Sequence, residues 1–294
     1  MANYDLLVIG TGPAGQKAAV QAAKLGKKVG IVERKEVVGG VCINTGTIPS
    51  KSLREAVLYL SGFRQRGIYG TEYRVKKDVT IEDLIVRATH VITNEIRIVE
   101  DQMRRNHVDM IYGTASFMDA HRIRVRRSAD AEEHTAHYIV IAVGTEPARP
   151  ADIPFDEQSI IDTDGLLTLK QLPASIVIVG GGVIGTEYAS ILAMLGVPVT
   201  LIDKRPRLLE FVDAEIIETL QRQMKDIGVT LYHQEEVVAI KKADDGAIAV
   251  TLQQAPPLTT TTLMYAIGRV GATRGLNLEQ VGLMPDSRGR LSVN

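Results

Sequence analysis

One glycine pattern occurs twice in this chain, each time between the same kinds of neighbours. The first copy reads Gly10-Thr11-Gly12-Pro13-Ala14-Gly15, and the second Gly180-Gly181-Gly182-Val183-Ile184-Gly185. Apolar runs enter both (Leu6 to Ile9; Ile176 to Val179), and helix-forming stretches leave both (Gln16 to Leu25; Glu187 to Leu195). A carboxylate follows at a fixed interval, since Glu33 and Asp203 each lie 18 positions beyond the last glycine. A strand, a tight glycine turn and a helix let backbone approach a pyrophosphate, which then rests on the helix N-terminus. The acid closing the next strand accepts hydrogen bonds from a ribose. One copy can arise from packing alone. Two copies in register predict an α/β protein with two Rossmann-like dinucleotide-binding domains, each on a parallel sheet. Two such sites point to hydride passing from one carrier to another.

Length and composition narrow the field. The 294 residues suit two domains of ordinary size. Hydrophobic content of 45% and a mean hydropathy of +0.04 fit a soluble globular protein. A formal net charge of −1 gives no reason to expect nucleic acid or an anionic membrane as partner. The alternating arginines of Arg122-Ile123-Arg124-Val125-Arg126-Arg127 read as the solvated face of a strand. Aromatic content of 4% with no Trp argues against a base-stacking platform. No apolar run approaches the roughly 20 residues that span a bilayer, and no leader is expected before the first strand. Cys42 is the single cysteine, so no internal disulfide forms, which fits a reducing cytoplasm. The six histidines lack ligand spacing, and no metal site is expected.

Along the chain, a first domain is expected over 1–149. A second, over 150–270, is inserted into it, and 271–294 begin a returning segment. Gly39 to Pro49 read as a loop, followed by a helix through Lys51–Leu60. Thr80 is placed to cap a helix whose apolar residues recur at helical period from Ile81 to Met103. Short strands are expected at Asp109–Tyr112, Ile123–Val125 and Tyr138–Ala142, with the polar stretch Ser128–His137 as a hairpin loop. Pro147, Pro150 and Pro154 mark a linker. Strands near Thr230, Val237–Ile240, Ala247–Leu252 and Leu263–Ala266 complete the second domain.

The stretch Gly39-Gly40-Val41-Cys42-Ile43-Asn44-Thr45-Gly46-Thr47-Ile48-Pro49-Ser50-Lys51 resembles the redox-active segment of the pyridine nucleotide–disulfide oxidoreductases, the group of lipoamide dehydrogenase and glutathione reductase. Those enzymes place two cysteines around four residues, and here the second position is Thr47. A hydroxyl forms no disulfide, so the usual sulfur relay is absent. Electrons would leave instead to another nicotinamide, a quinone or dioxygen. With this departure the chain is similar to the soluble, Si-specific NAD(P)+ transhydrogenases of that family. The match includes Ala142-Val143-Gly144-Thr145-Glu146-Pro147 and Tyr265-Ala266-Ile267-Gly268-Arg269.

The resemblance implies FAD on the first domain and NAD or NADP on the second. FAD pyrophosphate would lie on Gly10, Gly12, Pro13, Ala14 and Gly15, with Glu33 at the ribose and Arg34 beside it. Gly40, Val41, Cys42 and Thr47 would run along the flavin, with Cys42 a spectator. Gly113, Thr114 and Ala115 would meet the adenine, while Ala142 and Gly144 close over the cofactor. The nicotinamide nucleotide would take Gly180, Gly182, Val183, Ile184, Gly185, Gly268 and Arg269. Lys51 and Glu187 are implied as a pair near the flavin, the cation favouring the electron-rich form and the carboxylate holding the cation. Relatives that shield their flavin carry a tyrosine at the position of Val183, so Val183 implies a more open pocket. Asp203 favours a free ribose 2′-hydroxyl, whereas Lys204, Arg205 and Arg207 can neutralise a 2′-phosphate, so both nucleotides are expected.

The family pattern also implies a Gly-Asp segment on the flavin and a C-terminal dimer-forming domain, neither of which occurs in these residues. The chain is therefore expected to be a shortened version of a homo-oligomeric parent, with impaired activity. Two other readings stay open. One is a non-catalytic NAD(P)-binding fragment; the other is a dihydrolipoyl-dehydrogenase-like oxidoreductase, which Thr47 argues against.

Overall fold

The computed structural model describes residues 3–70, 72–128 and 130–293. In chain order the first half contains β1 (Tyr4–Ile9), α1 (Pro13–Lys24), β2 (Val29–Glu33), α2 (Gly40–Asn44), α3 (Thr47–Leu60), α4 (Arg66–Tyr69), α5 (Ile81–Arg105), β3 (Asp109–Tyr112), β4 (Thr114–Asp119), β5 (Arg122–Arg127), β6 (Asp130–Ile141) and β7 (Thr145–Pro147). The second half contains β8 (Ile160–Asp162), β9 (Ile176–Val179), α6 (Val183–Met194), β10 (Val199–Asp203), α7 (Ala214–Asp226), β11 (Val229–His233), β12 (Val237–Lys242), β13 (Ile248–Leu252), β14 (Leu258–Thr260), β15 (Thr262–Tyr265) and β16 (Arg269–Gly271). Packing groups the chain into two units, 1–49 with 89–146 and 269–294, and 50–88 with 147–268.

The first unit carries a six-stranded sheet in the order β3-β2-β1-β6-β5-β4. β1 runs parallel to β2 and β6, and β2 parallel to β3. β2 is buried along its whole length, as expected for a strand covered on both faces. β6 serves two ladders. Ala136–Ile141 lie beside Tyr4–Ile9, while Asp130–Thr135 pair antiparallel with Arg122–Arg127. The expected hairpin loop over Ser128–His137 is therefore mostly strand. Its polar residues occupy the outward face of the ribbon, where Glu133 meets Arg124 across the ladder at 3.0 Å. Inward, Ile123 and Val125 are buried.

Two further expectations shift. Gly40–Asn44 form a short helix within the expected Gly39–Pro49 loop, and the following helix starts at Thr47, before Lys51. Pro49 is tolerated there because first-turn amides have no intrahelical acceptor. The cap at Thr80 is a reciprocal box. The Thr80 amide donates to the Asp83 carboxylate at 2.8 Å, and the Asp83 amide to the Thr80 hydroxyl at 3.4 Å.

The second unit has a five-stranded parallel sheet, β11-β10-β9-β15-β8, with a separate antiparallel meander β12-β13-β14. Its main core includes Leu53, Ala56 and Val57 of α3 and Leu84 of α5, packed with Tyr188, Ile191 and Leu192 of α6. Burial of those apolar faces is why residues 50–88 group with the second unit, although the sequence division at 149 leaves them with the first. Among the described residues, no helix is long and apolar enough to cross a membrane.

Candidate functional site

In the first unit the chain turns from β1 into α1 through Gly10, which adopts φ +109° against the end of β6. A Cβ at Gly15 would overlap the Gly10 carbonyl oxygen, so helix and turn meet at backbone contact. At Gly12 a Cβ would meet only open space. Gly12 also caps α1 without any side-chain hydrogen bond, as Gly182 does for α6. By contrast, Asp213 caps α7 with its carboxylate. The two fingerprint helices thus keep uncapped N-termini, the arrangement that suits an anion.

These elements border an open cleft of about 200 Å³. Its wall brings together Gly10, Gly12, Pro13, Glu33, Arg34, Gly40, Val41, Cys42, Gly113, Thr114, Ala115, Ala142 and Gly144, all named from sequence. Ala14 lies exposed in the first turn of α1, and Gly15 is buried beneath it. Thr47 is exposed at the start of α3 and, like Lys51, does not line this cleft. Cys42 is a free, half-buried thiol on the cleft wall.

Thr11, which the sequence reading passed over, ties the cleft together. Its hydroxyl donates to Glu33 Oε2 and accepts from the Gly39 amide at 3.0 Å, linking the fingerprint to the segment that bears Cys42. The Thr11 amide adds 3.2 Å to the same carboxylate oxygen, and the Lys35 amide reaches Oε1 at 3.0 Å. Glu33 is 6% exposed. Arg34 approaches Glu146 at 3.9 Å with both side chains half exposed, a contact of little energetic weight. Arg274 and Leu276, from the returning segment, also line the cleft; no motif marks them.

The second unit repeats the backbone geometry. A Cβ at Gly185 would overlap the Gly180 carbonyl oxygen, and Gly180 takes φ +111°. Ile184 faces the apolar core, whereas Val183 is 59% exposed. Gly268 (φ +120°) precedes Arg269, whose guanidinium donates to Thr145 Oγ1 at 2.9 Å and O at 3.1 Å. Arg269 groups with the first unit and Gly268 with the second.

Asp203, at the end of β10, is 4% exposed. Arg205 grips it from Nε at 2.8 Å and Nη2 at 2.6 Å, while the Arg205 amide donates at 2.8 Å and the Gly181 amide also donates. Burial alone would raise this carboxyl. The Arg205 guanidinium and the two amides outweigh burial and hold it below the ordinary carboxylate range. Lys204 is exposed, and Arg207 reaches the Glu210 carbonyl at 3.3 Å.

A second cavity of this unit is lined by Lys51, Arg54, Val183, Thr186, Glu187 and Met194, among others. On its rim Lys51 Nζ lies 2.6 Å from Glu187 Oε1, joined by the Ser50 hydroxyl at 3.4 Å from the same oxygen. The pair implied by resemblance is thus in direct contact, a lysine on α3 meeting a glutamate on α6. Among the described residues, no group of three or more His, Cys, Asp or Glu side chains is arranged to hold a metal ion.

Residues 4–294 match the family model described as pyridine nucleotide-disulphide oxidoreductase. The chain belongs to this family. Within it, similar relatives include the soluble pyridine nucleotide transhydrogenase of Mycobacterium tuberculosis, 50% identical over 100% of this chain and 63% of that protein. The protein of the same name from Colwellia psychrerythraea is 41% identical over 99% of this chain and 62% of its own length. Among solved structures, the Cu(II) complex of the HOCl-induced flavoprotein disulfide reductase RclA from Escherichia coli superposes with a TM-score of 0.87. It shares 29% identity, covering 100% of this chain and 63% of that one. LpdA from Mycobacterium tuberculosis has the same fold, with a TM-score of 0.88 at 24% identity over 98% of this chain and 64% of its own. This chain therefore spans about 63% of the length of the family members it matches.

Proposed function

We propose that this chain carries the nucleotide-handling part of a flavin-dependent pyridine nucleotide transhydrogenase. The net reaction moves a hydride from NADPH to NAD+, giving NADP+ and NADH. The observation that carries this reading is Thr47, which stands where a disulfide reductase needs its second sulfur. With Cys42 the only cysteine, no thiol pair can take electrons onward, and a second soluble nucleotide is the acceptor that the other dinucleotide fold provides. Identity of 50% with transhydrogenases supports the same choice.

The residues present fit both groups. The first cleft would hold FAD, with open space over Gly12 and the uncapped α1 N-terminus for its pyrophosphate and the Glu33 carboxylate for its ribose. The second fingerprint, with Asp203 and Arg205, would hold NAD(H) and NADP(H) in turn. When bound, FAD supplies a two-electron hydride acceptor and donor. The protein's own part is to hold and orient. Glu187 keeps the Lys51 ammonium fixed at the cavity rim, and exposed Val183 leaves that cavity open for exchange of one nucleotide for another. Lys51 and Glu187 are positioning residues in this scheme. Cytoplasmic location, NADPH and NAD+ as partners and a homo-oligomeric full-length enzyme belong to the same proposal.

The test is stopped-flow mixing of the FAD-loaded chain with NADPH and a thio-NAD+ analogue. The expected outcome is reduced analogue formed as NADPH disappears. A chain that binds NADH but takes up no flavin would instead be a nucleotide-binding module. Comparable reduction of lipoamide would sink the proposal in favour of a disulfide reductase.

A further inference from the structure

The acids of the two fingerprints differ in what they have left to offer. A carboxylate presents about four in-plane acceptor positions. At Asp203 they are filled, Oδ1 by the Arg205 amide and Nε, and Oδ2 by Arg205 Nη2 and the Gly181 amide. Among the described residues, Glu33 accepts from the Thr11 amide and hydroxyl on Oε2 and from the Lys35 amide on Oε1, which leaves one position for a ribose hydroxyl. A nucleotide ribose therefore meets a ready acceptor in the first unit and an occupied one in the second.

What occupies Asp203 is a side chain able to leave. The Asp203 side chain is 3% exposed and that of Arg205 34%, so the guanidinium is the solvent-side member of the pair. The backbone beneath is clamped, the Gln234 amide donating to the Arg205 carbonyl and the Glu235 amide to the Asp203 carbonyl, each at 3.2 Å. Rotation of the Arg205 side chain frees the carboxylate without disturbing that edge of the unit.

This inference rests on the second fingerprint being a nicotinamide nucleotide site. We propose that Arg205 selects the nucleotide by its position on Asp203: paired, the site takes the 2′-phosphorylated nucleotide; withdrawn, it takes the unphosphorylated one. A bare buried carboxylate repels a 2′-phosphate, and pairing cancels its charge. Of the five guanidinium N–H donors, Asp203 engages those at Nε and Nη2, and the rest suit a phosphate. A ribose 2′-hydroxyl needs an acceptor on Asp203 and obtains one only when Arg205 moves off. NADH thus binds the fraction of molecules in the open form, and its apparent affinity falls by that fraction. Alternation between NADPH and NAD+ at one site is then accompanied by a swing of one arginine.

Dissociation constants for NADH and NADPH, from nucleotide fluorescence titrations of the full chain, test this without turnover. In Arg205→Gln, NADH binding is expected to tighten roughly 3- to 10-fold, because nothing competes for Asp203. NADPH binding is expected to weaken by about 10-fold through loss of charge-assisted donors to phosphate. In an Asp203→Asn background the same arginine substitution should no longer improve NADH. Asp203→Asn alone should shift discrimination the other way, toward NADPH, and carries the test should Arg205→Gln fold poorly. NADH binding unchanged or weakened in Arg205→Gln, with the unsubstituted chain binding both nucleotides, overturns this inference and leaves the proposed function standing. Binding of neither nucleotide by the unsubstituted chain overturns both.

Discussion

In the first unit, Gly15 lies so close to the Gly10 carbonyl that a side chain cannot be inserted; in the second, Gly185 stands in the same relation to Gly180. Each strand-to-helix turn is also pressed against the parallel neighbour, Gly10 on the Ala142 carbonyl and Gly180 on the Ala266 carbonyl. Beyond this frame the units diverge. Glu33 is held by a threonine and backbone amides, Asp203 by an arginine. The position of Thr11 is taken by Gly181, where a Cβ would collide with Leu208 and Asp203. The helices differ too. α1 buries only Gly15, Gln16, Ala19 and Val20, whereas α6 buries eight of its residues because α3 and α5 cover its other side. Glycines in such a turn report helix-on-strand packing. In the proposed scheme, the choice of nucleotide lies in the partners of the acid.

The sharpest way to break this comparison is to fill both turns. Gly15→Ala and Gly185→Ala each force a methyl into a backbone carbonyl, at a cost of about 3 kcal/mol or more. If the units act as separate devices, Gly15→Ala loses flavin retention and keeps NADH binding, while Gly185→Ala does the reverse. Flavin absorbance and NADH fluorescence read the two outcomes, and loss of both ligands in both variants would break the parallel.

An alkaline titration distinguishes the cores. Burial, with Asp152 nearby, pushes the Tyr265 phenol of the second unit up to about 12. A folded value above the unfolded one favours the neutral phenol. Its stabilisation is whole below about pH 10 and is lost as the pH rises toward about 12. The loss is roughly 2 to 3 kcal/mol, visible as falling urea midpoints that Tyr265→Phe should flatten.

Smaller effects concern the acids and the ion pair. Asp203→Ala should raise the affinity for NADPH relative to NADH by about 10-fold, while Glu33→Ala weakens flavin retention and leaves that ratio alone. A shift of the ratio by Glu33→Ala would contradict the assignment of one nucleotide to each unit. Smallest in stability is Lys51→Gln, expected to cost about 0.5 kcal/mol or less because Lys51 is 58% exposed. Its transhydrogenation rate should nevertheless fall, so an unchanged rate would remove Lys51 from the scheme.

Much of the frame was legible in the chain itself. The fingerprints, their strands and the helix from Ile81 follow from local chemistry: glycines that permit a turn, apolar runs that bury on both faces, and a cap at Thr80. What escaped depends on partners distant in sequence. Asp130–Thr135 look like loop until Arg122–Arg127 lie beside them, and Ile160–Asp162 need β15 to become a strand. The role of Thr11 depends on Gly39, 28 positions on. In the site, Asp203 and the arginines were visible, but the guanidinium filling the carboxylate is a matter of rotamer. The membership of residues 50–88 depends on which core their apolar faces meet.

Two of the borders between the packing units fall inside helices, at 49/50 within α3 and at 88/89 within α5. Gene shuffling between relatives would therefore meet unequal seams. A crossover inside either helix must keep its frame, since one inserted residue rotates everything downstream by about 100°. A crossover near 268 cuts neither helix nor strand and tolerates length changes better, whereas one at 146/147 divides β7, where an inserted residue shifts the strand register. Chimaeras that exchange only residues 147–268 would import a foreign partner for the inherited α3 and α5 faces, so they should recover function only when 50–88 travel with them.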